Sequence, residues 1–150
     1  MHMNHYIRLS VMIVLSFLSM YVLMYSMVDR LANVYPNLNQ FYMAGLMAAP
    51  MVVIEIALMG AMYPNKMLNA VIAVLGVLAL CGFFLLIRQQ TAIADEEFLK
   101  SMIPHHAGAL LMCEKATIQD PEIKQLCSTI VSGQQTEIDQ MKAILARLQK

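Results

Sequence analysis

Met102-Ile103-Pro104-His105-His106, with Gln134, Glu137 and Met141 some thirty residues later, holds the side chains of this chain best suited to chemistry. Half of the four histidines stand side by side here, three and four residues after a methionine. Gln134, Glu137 and Met141 recur at helical spacing, so an amide, a carboxylate and a thioether share one face. Imidazole beside thioether is a donor set for copper, as Cu(I) or Cu(II). Magnesium and calcium want oxygen shells instead. Adjacent helical residues point about 100° apart, so His105 and His106 do not easily face one partner, and the bland alternative is one capping and one solvated imidazole. A ligating imidazole must be neutral, so binding is expected to weaken in acid.

Most of the remaining chain reads as membrane. It is 59% hydrophobic and 13% charged, with a mean hydropathy of +0.61. Of twenty Asp, Glu, Lys and Arg residues, only Arg8, Asp29, Arg30, Glu55, Lys66 and Arg88 precede residue 89. Leu9 to Val28 and Leu68 to Ile87 each run twenty residues without a charge, and Phe41 to Tyr63 runs twenty-three, interrupted by Pro50 and Glu55. A membrane helix needs about 20 apolar residues. Residues 1–89 are therefore expected to form a transmembrane region with spans near 7–28, 41–63 and 68–88, and residues 90–150 a water-exposed part. The first stretch is too long for a signal-peptide core and lacks a small-residue cleavage site, so it is read as a retained helix. Basic residues tie across the bilayer, and only the free amine favours a cytoplasmic amino terminus. The expected location is a bacterial inner membrane, with the carboxyl-terminal part periplasmic or extracellular. Formal net charge is zero and no basic patch argues for nucleic acid.

The elements that must position the candidate site are helices. After Arg88 no breaker intervenes up to Ala94, so the third span is free to continue out of the bilayer. Asp95-Glu96-Glu97 supplies an N-cap and acidic first turn for a new or continuing helix. Its apolar positions are read as Phe98, Leu99, Met102, Ala109, Met112 and Ala116, with Pro104 bending it before the histidines. Asp120-Pro121-Glu122 starts a second helix: cap, proline at the first position, acid in the first turn. Its stripe is Ile123, Leu126/Cys127, Ile130, Gln134, Ile138, Met141, Leu145 and Leu148. The tail is thus an antiparallel hairpin, and residues whose numbers sum to about 240 share a level at equal rise. That sets Cys113 opposite Cys127 and His106 opposite Gln134, with Met141 about a turn from the level of Met102. Gly108 and Gly133 flank this level and are expected to let the backbones approach.

Phe98-x-x-x-Met102-Ile-Pro-His-His-x-x-Ala109, followed by Leu126-x-x-x-Ile130-x-x-x-Gln134-x-x-Glu137-Ile138-x-x-Met141, resembles domain-of-unknown-function family 305. The resemblance runs from residue 94 to 148 and leaves the three spans uncovered. It implies a ferritin-like, all-helical fold, export, and association with copper resistance, with copper binding in some members. Carried onto this chain it marks Met102, His105, His106, Gln134, Glu137 and Met141. The expected copper ligands among them are His105 or His106 with Met102 and a thioether or carboxylate from Met141 or Glu137, with the Gln134 amide as their support. Two departures stand out. One hairpin cannot make a four-helix bundle, so a second copy of the chain is implied. Cys113 and Cys127 also stand where small residues such as alanine are expected. Facing cysteines form a disulfide in an oxidising compartment; kept reduced, they are thiolate ligands for Cu(I).

Methionine is abundant, at fifteen residues. Met43, Met47, Met51, Glu55, Met59 and Met62 recur on the second span mostly every fourth residue, and Met12, Met20, Met24 and Met27 share a face of the first. The plain reading is apolar filler. An intramembrane carboxylate is costly, however, so Glu55 with Met47, Met51 and Met59 also reads as a path for Cu(I) or protons. The tract Met1-His2-Met3-Asn4-His5 is a weak further copper binder.

Three functions compete. The first is a membrane-anchored, non-enzymatic copper-binding protein for sequestration, resistance or delivery, working with the bilayer, a second copy, and copper transport or resistance proteins. The second is a ferritin-like metal-dependent oxidoreductase; no Glu here is followed three residues later by His, the pair that di-iron bundles use. The third is a structural or assembly module without metal.

Overall fold

The computed structural model describes residues 5–150. Of the amino-terminal Met/His tract only His5 lies inside the described residues. Among these the chain is helical throughout, with no strand. It divides into two compact units, residues 1–24 with 39–91 and residues 25–38 with 92–150.

The first unit holds three apolar helices: α1 (His5–Leu23), α2 (Leu38–Met59) and α3 (Lys66–Gln89). With their short 3-10 extensions they form stretches His5–Met27, Leu38–Met62 and Lys66–Gln89, each long and apolar enough to cross a membrane. The bounds agree with the sequence expectation to within three residues. Helix is the form such segments must take, because no water in the bilayer core can satisfy the backbone. Asn65 caps α3 by accepting the Leu68 amide at 3.0 Å. Small residues set the packing. A side chain at Gly45 would collide with the Phe83 ring, and one at Gly76 would lie 2.9 Å from Val53 Cγ2.

At its far end α3 does not continue outward. Gln90 takes a left-handed φ of 50°, the Gln90 amide donates to Ile87 O, and the Thr91 amide donates to Leu86 O. This pair of bonds satisfies the last carbonyls and stops the helix. The residues contain no obvious breaker, so the stop was not visible in the sequence.

The second unit is the hairpin of α4 (Asp95–Lys115) and α5 (Pro121–Leu148) together with the connection 25–38 between the first two apolar helices. The cap of α4 is Ala94, not Asp95, whose carboxylate instead opens the first turn with Glu96 and Glu97. Helix α4 runs on through the buried Pro104. Asp120 caps α5 as expected, accepting from the Glu122 and Ile123 amides at 2.9 and 3.0 Å. The core comprises Leu99, Ile103, Ala107 and Leu110 of α4 against Ile138, Met141 and Leu145 of α5.

Thus the buried face of α4 lies one residue round from the stripe expected. Leu99 is shared, but Phe98 and Met112 are 50% and 54% exposed. Two apolar stripes run along this helix, and the one ending in Leu110 faces α5. On α5 the carboxyl-terminal half of the expected stripe is buried, whereas Ile123 and Leu126 are exposed.

The connection belongs to the hairpin unit because its side chains fasten there. Val28 and Tyr35 pack on the hairpin core. Tyr25 Oη donates to Tyr35 O at 3.0 Å, and the Asn37 amide donates to Tyr35 O and Lys100 O at 2.8 and 3.3 Å. Gly108 faces the carbonyl of Met27 in this connection, and nothing lies near Gly133. The two glycines therefore do not serve the close approach of α4 to α5.

Candidate metal centre

His106 faces α5. Its side chain is 13% exposed, and Nδ1 lies 3.0 Å from Glu137 Oε2. The approach lacks hydrogen-bond geometry, so the buried nitrogen touches a carboxylate yet remains without a hydrogen-bond partner. His105 lies on the exposed side of α4, and the two imidazole centroids stand 6.0 Å apart. The neighbouring side chains thus diverge as helical geometry requires, while their rings remain close.

The thioethers belong to the hairpin core. Met141 is buried in the hairpin core, and Met102 packs against that same cluster from α4. Gln134 is half-buried and makes no hydrogen bond to either imidazole; the group beside Nδ1 is Glu137, one helical turn further on. The hairpin therefore gathers His106 and Glu137 directly, sets His105 beside them, and brings Met102 and Met141 to one cluster.

Among the described residues, no group of three or more His, Cys, Asp or Glu side chains is placed to hold a metal ion. His106 and Glu137 alone are too few donors for a metal site, and the other soft donors on the hairpin's inner side are the thioethers of Met102 and Met141. That donor chemistry fits a soft ion and suits neither calcium nor magnesium. Nothing in it resembles the paired carboxylate-histidine helices of a di-iron bundle.

Cys113 and Cys127 form a disulfide with a Cα–Cα distance of 5.5 Å. Both are half-buried at the level that the hairpin geometry gives them. Cys81, the third cysteine, is free and exposed on α3.

The methionines of α2 do not line an interior path. Its buried residues are Tyr42, Ala44, Gly45, Ala48, Ala49, Val52 and Ile56. Met43, Met47, Met59 and Met62 are exposed on the outer face, with Met51 and Glu55 half-buried at its edge. Small residues take the inner face because only they let the helices close. Glu55 is also less isolated than the sequence implied, since Tyr63 Oη donates to its Oε1 at 2.9 Å. The partner stands eight residues away beyond a 3-10 turn, which a periodicity reading does not reach.

Asn33 and Asn37, in the connection between the first two apolar helices, are buried polar residues that the sequence analysis does not single out. Asn33 donates to Asp29. Burial pushes the Asp29 carboxyl up, but the Asn33 amide and the Arg30 guanidinium outweigh it and hold the group below the ordinary carboxylate range.

The family model described as "Domain of unknown function (DUF305)" matches residues 55–145. The match starts inside the second apolar helix, well before the residues that carry the sequence resemblance. An uncharacterised protein of Acanthamoeba polyphaga mimivirus is 33% identical over 141 residues, covering 89% of this chain and 88% of that protein. Likeness to it therefore extends through the apolar helices as well as the hairpin. No solved structure matches the chain.

Proposed function

We propose, since this chain belongs to the domain-of-unknown-function family DUF305, that it is a membrane-anchored copper-binding protein that sequesters copper or hands it on. The observation that carries the reading is the His106–Glu137 pair across the hairpin: a buried imidazole nitrogen touching a carboxylate without a hydrogen bond. A cation held there would give both groups a partner.

His106 and His105 supply the imidazoles and Glu137 a carboxylate. Met102 and Met141 add thioethers, which favour Cu(I) over harder ions. Copper is cargo here, and the chain's own work is to hold it between the half-buried His106 and the exposed Glu137 at the edge of the hairpin core. Gln134, half-buried one turn from Glu137, is placed to orient the set once it closes.

The three apolar helices anchor the chain in a bilayer. The finer placement that goes with this reading is a bacterial inner membrane, or another membrane with an oxidising far side, with the amino terminus cytoplasmic and the hairpin across from it. A second copy would complete a four-helix, ferritin-like bundle. The exposed line Phe98, Met112, Ile123 and Leu126 on a hairpin otherwise dressed in charge favours such a cover. The partners in transfer are copper transport or resistance proteins.

The test is metal selectivity of the full chain in detergent micelles. Cu(I), Cu(II), Fe(II) and Zn(II) are offered together at limiting protein, and bound metal is counted. Copper retained in preference to the others supports the reading. Preferential iron would point to a ferritin-like oxidoreductase, and no bound metal to a structural module.

A further inference from the structure

The hairpin carries a disulfide cysteine and a candidate donor, Cys113 and His106, on one face of α4. His106 and Cys113 are seven residues apart on α4, and Cys127 and Gln134 are seven apart on α5. Two helical turns, about 10 Å of rise, therefore separate Cys113 from His106 on one face of α4, while Glu137 lies ten residues, about 15 Å, beyond Cys127 on α5. The disulfide is not sealed in the core. It borders a cleft of about 810 Å³ lined by Arg30, Glu114, Cys113, Cys127, Ser132 and Gln135 among others. That cleft runs down α5 from the sulfur atoms to the residue next to Gln134. Small molecules and ions can therefore reach the disulfide from solvent.

We propose that the Cys113–Cys127 pair is a two-electron redox couple that converts Cu(II) to Cu(I) for the His/Met donors, an inference that rests on the copper reading above. In the dithiol form each sulfur gives one electron to one Cu(II) ion. Two S–H bonds break, one S–S bond forms, two protons pass to solvent, and two Cu(I) ions result. An external thiol reductant of the dithiol class resets the pair by exchange through the cleft, leaving as its own disulfide. Direction follows from softness: thioethers retain Cu(I) better than Cu(II), so the reduced ion is drawn to Met102 and Met141. A disulfide serving only as a staple does not need to border an open cleft.

The full chain in micelles, reduced and freed of reductant without oxygen, is given two equivalents of copper(II) chloride. A Cu(I)-selective chelator reads the product, and alkylation followed by mass measurement reads the remaining thiols. The expected result is about two Cu(I) per chain, with Cys113 and Cys127 lost to alkylation and Cys81 retained. The Cys113→Ser/Cys127→Ser chain should form Cu(I) at least about tenfold more slowly. Wild-type chain that keeps both thiols while holding Cu(II), or a serine variant that reduces copper as fast as wild type, overturns the inference. The copper reading itself is judged separately, by loading the serine variant with Cu(I). Retention there with no reduction in wild type sinks only the redox couple, whereas reduction in wild type with no retention there sinks only the His/Met site.

Discussion

Met141 combines two roles that one substitution separates. Its side chain is buried in the hairpin core, and its sulfur belongs to the proposed donor set. Leucine keeps nearly the same volume, so Met141→Leu should cost less than about 1.5 kcal/mol of stability. It removes the thioether, and Cu(I) affinity should fall by about tenfold, 1.4 kcal/mol, while Cu(II) affinity changes less. Competition titration against Cu(I) and Cu(II) chelators checks this, and equal losses for both ions would assign Met141 to packing alone. Ile138, 0% exposed and directly beside Glu137 in sequence, is the opposite case. Ile138→Ala opens a cavity and should cost about 2–5 kcal/mol, read by thermal or denaturant unfolding followed by circular dichroism. At this scale residue type and helical spacing mark the candidate donors, and the structure brings His106 to Glu137. The buried, unbonded state of His106 Nδ1 was not legible, since it depends on the angle at which Glu137 arrives.

Helix starts with side-chain caps were legible as elements, and helix ends closed by the backbone alone were not. Asp120-Pro121-Glu122 announced α5, and the hairpin level derived from it placed Cys113 opposite Cys127. The end of α3 rests on a left-handed Gln90, a conformation its sequence does not advertise. The face of α4 was misjudged for a related reason. Phe98, Met112 and Ala116 make as good a periodic stripe as Leu99, Ile103 and Leu110, and only the position of α5 chooses between them. The connection 25–38 gives an acid-dependence prediction. Asp29 is held below its ordinary value of 3.8, so its stabilising contribution is complete above that pH and lost as pH falls through the lower folded value. Asp29→Asn should flatten this part of the stability profile between neutral and strongly acidic solution. A variant profile parallel to wild type would show that the carboxylate does not fasten the connection.

For the whole molecule, the spans were read to within three residues because length and hydropathy decide them. Their inner faces were not, because abundant methionine obscures which side small residues occupy. In the proposed topology, three crossings put the two termini on opposite sides. Reporter fusions should therefore show Lys150 active only in an extracytoplasmic reporter, and cytoplasmic activity there would reverse the topology. The central claim is that the paired histidines hold copper. The most direct measurement is the copper affinity of the full chain in micelles, by chelator competition, for wild type and His105→Ala/His106→Ala side by side. The expected result is a loss of at least about tenfold, or 1.4 kcal/mol, with helicity unchanged by circular dichroism. Equal copper affinity in the two chains would contradict the assignment.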